Sequence, residues 1–157
     1  MADVKPIPDG YPALTPYLIV ADGVGALAFY AKVFGATERL RLTRPDGKLG
    51  HAEMTVGGCV IMLADEYPSM GAKAPAAFGG SPVSLHLYVE DVDAVFARAI
   101  AAGATEIRAV SNQFYGDRSG AVKDPFGHTW HIATHIEDVP PDELDRRAAA
   151  AMQQPAP

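Results

Sequence analysis

Two histidines and a carboxylate are the side chains in this sequence best suited to chemistry. Glu53, His86 and His131 have the composition of the two-histidine, one-carboxylate sets that hold divalent metals. Alternation places them: His51, Glu53 and Thr55 interleave with Ala52, Met54 and Val56, and Ser84, His86 and Tyr88 interleave with Val83, Leu85, Leu87 and Val89. In strands this gives a polar stripe opposite an apolar one, so His86 and Glu53 either line a ligand face or decorate a solvated one. Tyr17 and Tyr88 share the phase of these faces, and aromatic walls suit a flat or apolar ligand. Phe114, Tyr115, Asp117 and Arg118 form a second group. Arg118 either clamps a carboxylate or phosphonate through two hydrogen bonds or helps hold a turn over Asp117-Arg118-Ser119-Gly120. His128 is expected to be structural, His135 exposed and Trp130 in the core. The lone Cys59 excludes an internal disulfide and a multi-cysteine zinc cluster, and its place on a strand predicts burial. There is no glycine-rich phosphate loop leading into a helix, no Gly-x-Ser-x-Gly elbow and no His-Glu-x-x-His pair.

The 157 residues must position these groups, and their composition bounds how. Apolar residues make up 48% and charged residues 20%, the balance of a globular protein able to fill a core. Thirteen Lys and Arg against nineteen Asp and Glu give a net charge of −6, which argues against a nucleic-acid partner. Apolar runs such as Cys59 to Ala64 are too short to span a bilayer. Met1 to Pro6 shows no basic segment followed by an apolar one, so a cytoplasmic protein with no membrane partner is expected.

The chain repeats itself. Tyr17-Leu18-Ile19-Val20-Ala21-Asp22 returns as His86-Leu87-Tyr88-Val89-Glu90-Asp91, an offset of 69 residues. Gly35-Ala36-Thr37-Glu38 returns as Gly103-Ala104-Thr105-Glu106, and Gly58 to Leu63 corresponds to Gly127 to Ile132. Each copy reads as βαβββ. In the first, a strand over 14–20 leads to a helix capped by Asp22 and stopped by Gly35. Strands over 37–43, 49–56 and 59–64 follow, the last two joined by a Gly57-Gly58 hairpin. In the second, a strand over 82–89 and a helix over 91–102 precede strands over 104–110, 114–123 and 128–135. This divides the chain into an N-terminal arm (1–13), module 1 (14–64), a mobile linker (65–81), module 2 (82–135) and a helical tail (136–157). In the tail, Leu144, Ala148 and Met152 make a weak stripe ahead of a frayed end from Gln153.

Paired βαβββ modules, the run from Val20-x-Asp22 to Phe29-Tyr30-x-Lys32-Val33-Phe34-Gly35, and Asp124-Pro125-Phe126-Gly127-His128 before the last strand resemble the vicinal oxygen chelate superfamily. That group includes glyoxalase I, bleomycin- and fosfomycin-resistance proteins, methylmalonyl-CoA epimerase and extradiol dioxygenases. Gly50-His51-Ala52-Glu53, Met62-Leu63-Ala64-Asp65 and Phe114-Tyr115-Gly116-Asp117-Arg118 are similar to its PhnB-like branch. The resemblance implies an α+β fold whose curled mixed sheets form a cleft between the two modules, plus the C-terminal helix. It also implies a divalent metal acting as a Lewis acid, held by one ligand from the first and one from the last strand of each module. Transferred to this chain, those positions are Thr15 and Met62, then Ser84 and His131, and only His131 is a strong ligand.

The resulting expectation is a protein that binds a small organic molecule in the cleft, with the usual four-ligand metal site lost. Tyr17, Met62, Ser84 and His86 would line the cleft with Tyr88, Phe114, Arg118 and His131. The alternative is a glyoxalase-like lyase, isomerase or dioxygenase using zinc, nickel, iron or manganese on Glu53, His86 and His131, with Glu53 the candidate catalytic carboxylate. A homodimer is expected in either case, because a half-cleft leaves apolar surface exposed.

Overall fold

The computed structural model describes residues 4–153. The chain forms two compact units: residues up to Pro82 together with Pro125–His128, and Val83–Asp124 together with residues from Thr129 onward. Each is a four-stranded mixed sheet with a helix on one face, so the fold is α+β.

In the first unit, β1 (Tyr17–Val20) leads through α1 (Gly23–Phe34) to β2 (Thr37–Thr43), β3 (Leu49–Val56) and β4 (Cys59–Asp65). The sheet order is β1-β4-β3-β2, with β1 parallel to β4 and the other pairs antiparallel. The Asp22 carboxylate accepts the Gly25 N–H at 2.9 Å and so caps α1. Buried Asp65 adds a second fastening by accepting Gly23 N–H at 2.7 Å and Leu49 N–H at 2.6 Å. Gly57 and Gly58 both have positive φ, as a two-residue turn matching the strand twist requires. β1 starts three residues later than the alternation predicts, because Pro16 has no N–H to give the ladder; only its carbonyl joins, accepting Met62 N–H at 2.9 Å.

The second unit repeats the plan with β5 (Ser84–Tyr88), α2 (Val92–Ala101), β6 (Thr105–Asn112), β7 (Asp117–Lys123) and β8 (Thr129–His135), in the order β5-β8-β7-β6. Asp91 caps α2 by accepting Ala94 N–H at 3.0 Å. Thr134 takes the place of Asp65: its hydroxyl accepts Val92 N–H and donates to the Val89 carbonyl, both at 2.9 Å. The β6–β7 turn lies at Gln113–Gly116, so β7 starts three residues later than the strand expected from 114, and Asp117–Gly120, the alternative turn, is strand. A final helix, α3 (Pro141–Met152), has Pro141 at its first position and is tied down by Arg147, which bonds Glu137 and Glu143 and donates to the Phe114 carbonyl. Beyond Gln153 the expected frayed end lies outside the described residues.

Apolar faces of helix and sheet meet within each unit. Tyr30, Val33 and Leu63 are buried in the first, and Val92, Trp130 and Ile132 in the second. Full burial of an aliphatic side chain of this kind stabilises by about 1.5–3 kcal/mol. Phe126, from the turn assigned to the first unit, packs edge-on against Phe29 at 6.0 Å and Tyr30 at 6.1 Å. The connecting segment after β4, expected to lack regular structure, carries two short 3-10 turns, Pro68–Met70 and Pro75–Phe78, with Ala74 and Pro75 buried. Among the described residues no helix is long and apolar enough to cross a membrane.

Candidate functional site

Because α1 covers one side of the first sheet, alternate residues of β1, β3 and β4 point to the other. Tyr17 pairs with Met62, and Met62 with Glu53, in one row across the strands. His51 lies one pleat along β3 from Glu53. Four side chains form a continuous hydrogen-bonded line here. The Tyr11 hydroxyl donates to one oxygen of Glu53, His51 Nε2 lies 3.2 Å from the other, and His51 Nδ1 lies 3.0 Å from the Tyr17 hydroxyl. The Tyr11 hydroxyl, and then His51, hold the buried Glu53 carboxyl below the usual carboxylate range against the opposing effect of burial. An ionised carboxylate only accepts, so His51 donates from Nε2; in the tautomer that this sets for a neutral ring, Nδ1 is the acceptor for the Tyr17 hydroxyl. Partial burial raises the Tyr17 pKa, which keeps that proton in place. Arg39 completes the arrangement, with its guanidinium 4.4 Å above the Tyr11 ring.

Tyr17 also borders a groove of about 480 Å³ in the first unit. Ile19, Pro75 and Phe78 supply apolar wall, while Lys73 and His128 supply polar groups. His128 Nε2 sits 3.1 Å from the Ile19 carbonyl, the structural role expected for it. Lys73 is exposed and makes no ion pair among the described residues.

The second sheet likewise turns Ser84, His86 and Tyr88 of β5 away from α2, and all three are exposed. His86 pairs with His131, their rings stacked 6.2 Å apart at 16°. Tyr88 lies 4.8 Å from His86 and donates to Asp117 at 2.8 Å; the other Asp117 oxygen meets His135 Nδ1 at 2.8 Å. Burial, and then the electrostatic influence of the neighbouring Arg108 and His86 side chains, push the His131 pKa below the ordinary imidazole value. Buried Ser119 accepts from Arg108 Nη2 at 3.0 Å.

The positions expected to carry a metal can be tested against these faces. Thr15 lies before β1, and it is Tyr17 that stands beside Met62. Ser84 pairs with Thr129, while His86 is the partner of His131. The first unit therefore presents a phenol and a thioether at these positions and the second two stacked imidazoles, of which only the imidazoles are strong ligands for these metals. Glu53 belongs to the first unit, where Tyr11 and His51 occupy both its oxygens. Among the described residues no three His, Cys, Asp or Glu side chains gather to hold a metal ion. These side chains do not fit the metal that the fold family implies.

The remaining candidates separate. Arg118 points to the helix side of its sheet, where both guanidinium bonds to Asp93 of α2 are 2.7 Å and Asn112 takes a third at 2.9 Å. Phe114 is half-exposed in the β6–β7 turn, edge-on to Tyr115 at 5.3 Å. Trp130 is buried and donates to Asp124 at 2.9 Å. Cys59 is exposed, contrary to expectation, because it opens β4 directly after the hairpin turn. Sequence reasoning missed Tyr11, Lys73 and Arg108. Tyr11 stands outside the repeat, Lys73 is in the connector, and Arg108 follows an irregularity in β6 that defeats simple alternation.

A family model described as the Glyoxalase/Bleomycin resistance protein/Dioxygenase superfamily matches residues 13–132. The uncharacterized protein Rv0887c of Mycobacterium tuberculosis is 48% identical over 136 residues, covering 85% of this chain and 80% of that protein. Among solved structures, the Arabidopsis thaliana At5g48480 product has a TM-score of 0.64 at 28% identity, covering 78% of this chain and 98% of that one. TioX from Micromonospora has a TM-score of 0.60 at 27% identity, covering 80% and 99%. With the duplicated βαβββ plan described above, these findings show that the chain belongs to the Glyoxalase/Bleomycin resistance protein/Dioxygenase superfamily.

Proposed function

We propose that this chain binds a small organic molecule without a metal ion, and that the groove of the first unit, entered past Tyr17, is where an apolar part of that molecule lodges. The supporting observation is the pairing of Tyr17 with Met62 at a position where the family would place metal ligands. A protonated phenol beside a thioether is a poor seat for a cation and a good wall for a ligand. Tyr17 commits its proton to His51 and so offers its oxygen as an acceptor; Lys73 offers an ammonium donor; Phe78 and Pro75 supply the apolar surface.

The test is a titration of the chelator-treated chain with benzyl alcohol, a neutral probe with one ring and one hydroxyl, followed by NMR. Saturable shifts at Tyr17 and Phe78 that weaken in Phe78→Ala are expected, and added zinc or nickel should not alter them. Binding that appears only after metal is added would overturn the reading and favour the metal-dependent alternative on Glu53, His86 and His131.

A further inference from the structure

One row of residues crosses the second sheet in register: Arg108 of β6, Ala121 of β7, His131 of β8 and His86 of β5. The corresponding row of the first sheet is Leu40, Glu53, Met62 and Tyr17. The duplicated faces have thus diverged in charge, the first with a buried carboxylate in its row and the second with a guanidinium and two imidazoles. Ala121, Ser119 and Ala133 are small and buried, and form a floor from which Arg108 and His131 rise half-buried and His86 exposed.

Among the described residues the guanidinium on this face has no counter-ion. In the same unit Arg118 is paired with Asp93, Arg146 with Glu143, and Arg147 with Glu137 and Glu143. Among the described residues Arg108 meets only the neutral Ser119 hydroxyl, through one of its five N–H donors. Asp117, the buried carboxylate of β7 on this face, is already satisfied by Tyr88 and His135. A half-buried cation with unused donors loses hydration that none of the described residues replaces, and an arriving anion would restore it.

We propose that the open face of the second sheet binds the carboxylate or phosphonate of a flat organic molecule, with Arg108 as its charge partner, Ser119 orienting the guanidinium, and the stacked His86 and His131 flanking the organic body. Arg108 takes the role that the sequence suggests for Arg118. A planar guanidinium matches two oxygens of such a group through parallel hydrogen bonds, and aromatic rings beside it favour a flat molecule. The inference rests on the reading that these open sheet faces receive small organic molecules.

The probes are benzoate, phenylphosphonate and the uncharged benzyl alcohol, titrated into the full chain and followed through the His86 and His131 ring resonances, with melting curves to establish that each variant is folded. At least one of the two acids is expected to bind saturably, and comparing them identifies the preferred oxyanion. Arg108→Gln should weaken that binding roughly tenfold or more, as loss of a charge-assisted pair predicts. Arg108→Lys, which keeps the charge without the fork, should fall between, and Arg146→Gln should bind as wild type does. Equal binding by wild type and Arg108→Gln would overturn the proposal. So would saturable binding of benzyl alcohol in the first-unit groove with neither acid reaching this face, a result that leaves the metal-free reading intact.

Discussion

His51 Nδ1 lies 3.0 Å from the Tyr17 hydroxyl, and this contact fixes the chemical character of the open face in the first unit. Glu53 takes the Nε2 proton, so in the neutral tautomer this sets, Nδ1 is the acceptor and Tyr17 turns its proton inward. The phenol therefore meets a ligand as an acceptor. This is the polarity expected of a hydrogen-bonding wall, and it leaves neither residue free as a metal donor.

Replacing Tyr17 by Phe removes one hydrogen-bonding atom from a half-exposed ring. The stability of the fold should change by no more than about 0.5 kcal/mol, the usual range for a surface substitution. Benzyl alcohol affinity should fall by roughly two- to tenfold, the equivalent of one net hydrogen bond. Calorimetric titration measures the second effect and thermal melting the first. Unchanged affinity would remove Tyr17 from the site.

Glu53 is buried and serves two donors, so Glu53→Ala strands both Tyr11 and His51. A loss of about 1–3 kcal/mol in urea unfolding is expected. The sign of the pH dependence follows from the lowered pKa in the fold. The contribution is present above the unfolded-state value of about 4.3 and is lost as pH falls through the lower folded value. The variant should show a flatter acid limb than wild type.

His135 behaves in the opposite sense. Asp117 first, and then Asp138, raise its pKa above the ordinary imidazole value. Its contribution is therefore complete below about pH 6.5 and is lost as pH rises through the folded value. Melting temperatures of wild type should decline from about pH 6 to about pH 8 more than those of His135→Gln. Parallel curves would show that the His135–Asp117 contact contributes nothing to stability.

Gly116 ends the β6–β7 turn with φ near +97°, and a Cβ there would collide with the Glu137 carbonyl oxygen. The Gly116 carbonyl also accepts the N–H groups of Ile136 and Glu137, at 2.9 and 3.0 Å. Gly116→Ala should cost about 2 kcal/mol or more from strain and displaced chain together. Denaturant unfolding checks this, and a loss below about 0.5 kcal/mol would contradict it.

Much of this architecture is legible in the sequence because it is written twice. The Asp22 and Asp91 caps, the Gly35 stop and the 69-residue offset give the βαβββ plan, and period-2 alternation identifies the faces bearing His86, Glu53 and His131. Alternation fails where register slips. Irregularities between Glu106, Arg108 and Ser111 hide the face of Arg108. Pro16 shortens β1, so the residue beside Met62 is Tyr17 and not Thr15. Contacts made from outside the repeat leave no periodic trace, as with Tyr11 reaching Glu53 across 42 residues. Arg118 departs from both of its expected roles, clamp or turn: it lies within the strand expected over 114–123, where parity sends its side chain to Asp93 on the helix side.

The most direct test of a site that works without a cation is the metal content of the native chain prepared without chelator, measured by elemental analysis. The account predicts no stoichiometric nickel, zinc, iron or manganese, and benzyl alcohol binding that is the same before and after chelation. One equivalent of any of these metals per chain, lost in His131→Ala, would contradict it.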